Sequence, residues 1–514
     1  MRCRTSITFL FSLWLSIASY LPSIYLFTDT LLLPKWYLCI VGVACAGAIV
    51  GVTMLRRKPL PKMSDAFPIS VAVFTVVTIA ECLYVGGCVL TGGWKTGGEC
   101  GTFDTPAGLA LSLCIAIPLA VHQTLHADKR SSRLLYGAAT LLFVATLLLT
   151  RSRTGMICLA LYGIIYLTRM LKQHILNQRI RNSLLIGVSA ILLTGTLFFV
   201  SSHKTASTSG RAFILQRSME LIMEHPFVGH GHGSFEREYM LRQARFFKVH
   251  PNDVHTDLAD DMHHPLNEFI YLWINYGFVA PVALLTALML PLLRLRHHLL
   301  LQLTVLALLV FSCFSYPFHY PIAWLIAGGT LLYTFWKSVL RWSSHVAFPC
   351  VLLLASVVTF ALTLNDAVHE HLWYRAYRHS FRHKSALAEY EQVHSYFRQN
   401  PYFLYNYAIA SFMHKDLDRA EHLLGECARF RNSYNQELLH GDVCLRRENY
   451  TEAIVHYQTA SHMCPVRFAP LEGLCKVYQA TGDEVRRKEM ATRIANKKVK
   501  VNSSAVQRIK RQYQ

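Results

Sequence analysis

Charge is what this chain lacks, and it lacks it unevenly. Charged side chains make up 16% of the 514 residues, against about 25% in ordinary soluble domains. Of the 82 charged residues, 39 fall in 365–514, and the longer stretch 1–364 holds only 43. That deficit excludes a soluble single-domain enzyme, and a hydrophobic content of 53% excludes a disordered chain. Acids number 31 against 51 bases. The basic excess sits in short loops between apolar runs, so nucleic acid is not an expected partner. The fourteen cysteines form no CxxC and no metal-type pairing with His. Most lie in apolar runs or helical repeats, where Cys packs as a small hydrophobe. Cys88 and Cys100 flank an outward loop and are the candidate disulfide. There is no Walker A motif and no Ser/His/Asp triad; Gly92-Gly93-Trp94-Lys95-Thr96 has the wrong glycine spacing.

What is present is apolar sequence in runs near the ~20 residues that cross a bilayer. Eleven spans are read at about 7–27, 36–55, 67–90, 105–121, 134–149, 155–168, 184–200, 266–293, 299–315, 322–336 and 346–364. The first follows Arg2 and Arg4 and reads as an uncleaved span, not a signal peptide. Alternate loops then carry Arg56-Arg57-Lys58 with Lys62, Lys129-Arg130 with Arg133, Arg169 to Arg181, Arg294 with Arg296, and Lys337 with Arg341. The loops between them carry only Lys35, Lys95, and Arg151 with Arg153. Bases mark the cytoplasmic side, so the N-terminus is expected inside and, after an odd number of spans, the last third outside. That pattern fits a bacterial inner membrane with a periplasmic C-terminal domain. Within the spans the ionisable exception is Glu81, read as a residue that fixes helix packing rather than a transport path.

A long polar loop at about 201–265 interrupts the tight turns, and loops of this length usually carry function. A helix is expected over 211–225, with Ser209 and Gly210 before it and Pro226 beyond it, and a second from Ser234 to Phe247. From about 370 the pattern becomes helical hairpins with a period in the low thirties. The clearest unit is 434–465, with Gly441 and Cys444 on one helix, Tyr450, Ala453, Tyr457 and Ala460 on the other, and Pro465 closing it. This spacing resembles the tetratricopeptide repeat, a module that docks a protein partner or braces a neighbour. The expected fold is all-α: a polytopic membrane domain over 1–365, then a soluble α-solenoid over 370–514.

The candidate chemistry lies on the outward side. Thr150-Arg151-Ser152-Arg153-Thr154-Gly155 puts two guanidinium forks beside the membrane, suited to a phosphate or to snorkelling at helix ends. Arg211 is expected to open the loop helix, where the helix N-terminus favours anions. The segment His225-Pro226-Phe227-Val228-Gly229-His230-Gly231-His232-Gly233 follows no strand, and its glycines are expected to turn the chain back to the membrane. His250 to His264 is rich in His and Asp but matches no metal-ligand spacing. His264 and Asn267 stand three apart at the mouth of the expected span 266–293, placed to share one face of its first turn.

Taken in order, these pieces resemble the O-antigen ligase and polymerase superfamily of lipid-linked glycan transferases. The resemblance runs from about Gly101 to Pro281. It rests on Gly-Thr-Phe-Asp-Thr-Pro-Ala-Gly at 101–108, Thr-Arg-Ser-Arg-Thr-Gly at 150–155, Ser-Gly-Arg at 209–211, Pro-Phe-Val-Gly-His-Gly-His-Gly-Ser-Phe at 226–235, and His-Pro-Leu-Asn-Glu-Phe-Ile-Tyr-Leu at 264–272. It implies a helical membrane glycosyltransferase of the glycosyltransferase-C type. The donor would be a glycan on undecaprenyl pyrophosphate; the acceptor would be lipid A-core, another glycan or a protein. No metal, nucleotide or other cofactor is implied. Carried over by motif, Arg153 and Arg211 would hold the pyrophosphate, and His264 would act as base on the acceptor hydroxyl or orient it. Arg151, His263, Asn267 and Arg217 are the further substrate-binding candidates. Many relatives place the His directly before the Asn, whereas here His264 and Asn267 are three positions apart.

Overall fold

The computed structural model describes residues 2–57, 63–92, 100–174, 205–295, 298–336, 347–500 and 503–513, with isolated positions 178, 187 and 338. Among these the chain is helical, with one isolated β-bridge between Cys100 and Phe103. The helices are α1 Arg2–Ser19, α2 Leu33–Leu55, α3 Met63–Leu90, α4 Pro106–His126, α5 Arg130–Leu149, α6 Arg153–His174 and α7 Thr205–Glu224. Next come α8 Ser234–Val249, α9 Glu268–Tyr276, α10 Val279–Arg294, α11 Leu299–Phe314, α12 Pro321–Thr334 and α13 Ala347–His379. The last eight are α14 Ser385–Phe397, α15 Pro401–Met413, α16 Leu417–Ala428, α17 Tyr434–Arg446, α18 Tyr450–Met463, α19 Ala469–Ala480, α20 Glu484–Asn496 and α21 Ser504–Tyr513. They form two compact units, Met1–His203 with Val282–His371, and Lys204–Pro281 with Leu372–Gln514.

The first unit is built on α4. Thr105 caps it, Pro106 opens it, and every residue from Gly108 to Ala120 is buried. Gly108 is needed there because a Cβ would stand 2.5 Å from the Tyr320 ring. Tyr320 in turn donates its hydroxyl hydrogen to Asp104 at 2.7 Å. Six helices among the described residues are long and apolar enough to span a bilayer: Leu33–Leu55, Pro68–Leu90, Pro106–His126, Arg130–Leu149, Arg153–Lys172 and Ala347–His379. Four shorter ones, Phe9–Ser19, Val279–Arg294, Leu299–Phe314 and Pro321–Thr334, are also apolar. The expected span 184–200 lies outside the described residues. The expected span 266–293 is not one helix. It breaks at Gly277, whose φ of 74° and ψ of −175° end α9 before α10 begins.

Two charged side chains of this unit hold the two peptide groups that flank Thr102. A Glu81 oxygen accepts the Thr102 N–H at 2.8 Å, and the Lys35 ammonium donates to the Thr102 carbonyl. Lys35 also lies 4.2 Å from the centre of the Phe103 ring. Both side chains are buried, so Glu81 has a structural occupation, and Lys35 is a core residue instead of a loop charge. The same clamp draws Cys100 into the core and leaves Cys88 half-buried; both are free thiols, and the disulfide expected between them is not formed.

The second unit joins the polar loop to the C-terminal hairpins. Its hairpin turns repeat. Lys415, Glu448 and Gly482 have φ of 65°, 60° and 72°. The residue after each, Asp416, Asn449 or Asp483, sends its N–H back 2.9 Å to the carbonyl of Ser411, Cys444 or Tyr478. The side chain of that residue then caps the next helix. Between hairpins Tyr457 fills the gap left by two glycines: a Cβ on Gly441 or Gly473 would stand 2.7 or 2.4 Å from its ring. Its hydroxyl donates to Asp442 at 2.6 Å.

A left-handed turn costs a residue with a Cβ about 1 kcal/mol or more. Lys415→Gly and Glu448→Gly are therefore expected to stabilise the protein by about 0.5–1 kcal/mol each, and Gly482→Ala to destabilise it. Thermal unfolding of the three purified variants checks this; a fall in midpoint for both glycine variants contradicts it.

Candidate functional site

In the first unit, the motif Thr150 to Gly155 holds a three-residue turn, Thr150 to Ser152, between α5 and α6. Thr150 bonds back to the Leu147 carbonyl at 2.7 Å and receives the Ser152 N–H at 3.2 Å. Arg151 is exposed with a φ of 50°. Ser152 caps α6 by accepting the Gly155 N–H at 3.3 Å. Gly155 allows the two helices to meet, since a Cβ would stand 2.7 Å from Leu147. Arg153 is the first residue of α6, partly exposed, at a helix N-terminus whose dipole favours an anion.

Arg211 does not open its helix as expected. The described helix already runs from Thr205, so Arg211 lies in its second turn, beyond the N–H groups that lack intrahelical partners. Its side chain is exposed. Arg217, two turns on, is turned inward: its guanidinium lies 4.3 Å from the Phe246 ring centre and pairs with Glu220 at 3.0 Å. It thereby helps to hold the helix that carries it.

The glycine segment leads into α8 and is sewn to the end of α9. His230 N–H donates to Ile274, Gly231 N–H to Asn275 and Phe278 N–H to Pro226, at 2.8 to 3.1 Å. A Cβ on Gly229 would stand 2.5 Å from the Gly277 nitrogen, and one on Gly277 would overlap the Phe227 carbonyl. Both have positive φ, so glycine is required on either side of the contact.

His264 and Asn267 do not share a helical turn. Asn267 is the N-cap of α9, accepting the Ile270 N–H at 3.0 Å. His264 lies before it, across Leu266, which has a φ of 57°. The His264 ring stacks on Tyr271 at 4.6 Å, and its Nδ1 accepts the Leu266 N–H at 3.0 Å. In the neutral ring this puts the hydrogen on Nε2, which is then a donor. Burial pushes the Tyr271 hydroxyl up to about 12, so it stays protonated under the ring.

The preceding histidines do not converge. His250 stacks on Phe246 at 4.7 Å, and His255 stacks on Phe213 at 5.0 Å while its ring bonds Asp253 at 2.7 Å. The His255 N–H, with its ring, holds the Asp253 carboxyl below its ordinary value. His263 turns toward the hairpins. Its Nδ1 accepts from Arg431 at 3.2 Å. Arg431, a buried residue between α16 and α17, also pairs with Glu236 at 3.1 Å and lies over Tyr402. Asn432 adds its N–H to the Glu236 carbonyl and its amide to the Arg237 carbonyl. Arg431 and Asn432 are thus supports of the loop that sequence did not reveal; an isolated Arg-Asn pair in a hairpin connection carries no signal.

Arg151 and Arg153 belong to the first unit, and Arg211, Arg217, His263, His264 and Asn267 to the second. Residues 138–285 match the family model described as O-antigen ligase. The matched stretch contains all seven of these candidates, while Gly101–Gly108 lies before it. No curated protein matches the chain. The apolar helices support an integral membrane protein, and its stretch 138–285 is similar to the O-antigen ligase family, which is of glycosyltransferase or ligase type.

If Asn267 acts as the helix cap, Asn267→Asp keeps transfer activity and stability. Asn267→Ala then lowers stability by about 1 kcal/mol. Thermal unfolding paired with a transfer assay checks this; loss of activity in the aspartate variant without loss of stability would assign Asn267 to the substrate.

Proposed function

We propose that the protein is a membrane glycan ligase that transfers a preassembled glycan from undecaprenyl pyrophosphate to an acceptor hydroxyl at the periplasmic face. The observation that carries this reading is the O-antigen ligase match over 138–285, which holds every candidate cation and imidazole. Chain extension of a glycan, or glycosylation of a periplasmic protein, uses the same donor and leaving group and is distinguished by the acceptor alone. The C-terminal hairpins, read as tetratricopeptide-like, act first as the brace of the loop; presenting a protein acceptor is their second use.

In this mechanism Arg153, at a helix N-terminus, and Arg211, on the exposed side of α7, neutralise the pyrophosphate and stabilise it as it leaves. The acceptor oxygen attacks the anomeric carbon, the bond from that carbon to the pyrophosphate breaks, and the hydroxyl proton passes to the departing pyrophosphate. Nδ1 of His264 is occupied by Leu266, which favours orientation through Nε2–H over proton abstraction. Positioning and charge neutralisation carry the rate, and the transfer step needs no metal.

The test is complementation of a deletion strain, with surface glycan and lipid-linked donor compared on gels. Arg153→Ala, Arg211→Ala and His264→Ala are each expected to reduce transfer about 10²-fold or more while donor accumulates. His264→Gln, which keeps an N–H donor but is no base, is expected to retain more activity than His264→Ala. Normal glycoconjugate in all three alanine variants overturns the reading, and equal loss in Gln and Ala restores the base role. The missing product separates ligation, extension and protein glycosylation.

A further inference from the structure

The second unit brings together three side chains that the proposed transfer does not use. His440 and Cys444 lie one turn apart on α17, and His456 faces them from α18. One ligand atom from each lies within 4.8 Å of the other two. The imidazoles of His440 and His456 stack at 3.8 Å between centres. In the sequence His440 and Cys444, four apart, do not make a ligand set by themselves, and the third member comes from the opposite helix of the hairpin.

The group has further features of a metal site. Glu437, one turn before His440, holds His456 Nδ1 at 2.8 Å. A carboxylate on the far nitrogen fixes an imidazole so that its other nitrogen is presented to an ion, the usual support of a ligating histidine. Glu437 is itself buried, so this orientation is fixed. Burial and the neighbouring ring keep His440 at about 4, neutral at physiological pH. Cys444 is buried between them, and burial pushes its thiol up to about 11. The thiol is therefore protonated and unreactive until a cation displaces its proton.

We propose that His440, Cys444 and His456 bind one Zn²⁺, with Glu437 orienting His456 and water as fourth ligand. On binding, the Cys444 thiol releases its proton to solvent and the sulfur bonds the ion; no electron is transferred. A tetrahedral zinc with bonds of about 2.0–2.3 Å sets its ligands roughly 3.3–3.8 Å apart. The group closes by about 1 Å, within reach of side-chain rotation. Three protein ligands of this softness favour zinc over magnesium or calcium, which take oxygen. The ion would fasten α17 to α18, and Tyr434, Ala460, Met463 and Cys464 of these helices and the turn after them share a core with the loop. Its role is structural, outside the matched stretch 138–285, and it stands whether or not the transfer reading holds.

The test uses the full-length protein in detergent, stripped with a chelator and titrated with Zn²⁺. X-ray absorption at the zinc edge is expected to show one sulfur at about 2.3 Å with nitrogen and oxygen at about 2.0–2.1 Å. Cys444→Ser and His456→Gln are each expected to lose one equivalent of zinc and the rise in melting temperature that zinc gives the parent. A variant counts when its metal-free circular dichroism matches the parent; if neither folds, the wild-type absorption spectrum decides. A zinc shell without sulfur, or equal zinc content in folded parent and variants, overturns the site. Transfer activity has no part in the readout.

Discussion

The candidate chemistry of the loop depends on one burial. Helices α7 and α8 each carry an apolar stripe. The stripes, Ile214, Leu221 and Ile222 on one and Phe235, Tyr239, Met240 and Ala244 on the other, close with Tyr434, Ala460, Met463 and Cys464 of the hairpins. Ile274 of α9 enters the same core, which gives the short helix after His264 a fixed place. Polar contacts then set the register. Gln243 bonds the Met463 carbonyl at 2.6 Å, and Arg467 pairs with Asp260 at 2.6 Å. The hairpins supply the floor on which an imidazole can be held to a defined orientation.

The membrane unit solves a related problem differently. A buried turn between helices has no water to satisfy its peptide groups. At Thr102 a buried acid accepts from the N–H and a buried base donates to the carbonyl, so opposite charges serve the two peptide groups on either side of one residue. Each charge thereby gains a partner that offsets part of its desolvation. This explains why a Glu stands in an apolar run without a proton path around it.

Much of the architecture is visible in the chain because a bilayer imposes a length and a helical hairpin imposes a period. Helix Ser234–Val249 was legible from its pattern, as were the two helices around Gly441 and Tyr457. The break at Gly277 was not, because apolar residues on both sides conceal a backbone conformation that only the contact with Phe227 requires. The start of α7 was missed for a similar reason: Ser209 and Gly210 look like a cap but lie inside the helix. At the candidate site the residue types were legible and their roles less so. Whether an imidazole nitrogen gives or takes a proton is decided by the Leu266 N–H, and no spacing rule encodes that bond.

The closure of Gln243 on Met463 spans 220 positions of sequence. During synthesis the loop leaves the ribosome long before the surface that completes its core. Contacts of such separation form late, after the ordering of everything between them. The nascent chain therefore inserts its spans while its loop is still without a core. The histidine at 264 acquires its setting only when the last third is made and folded.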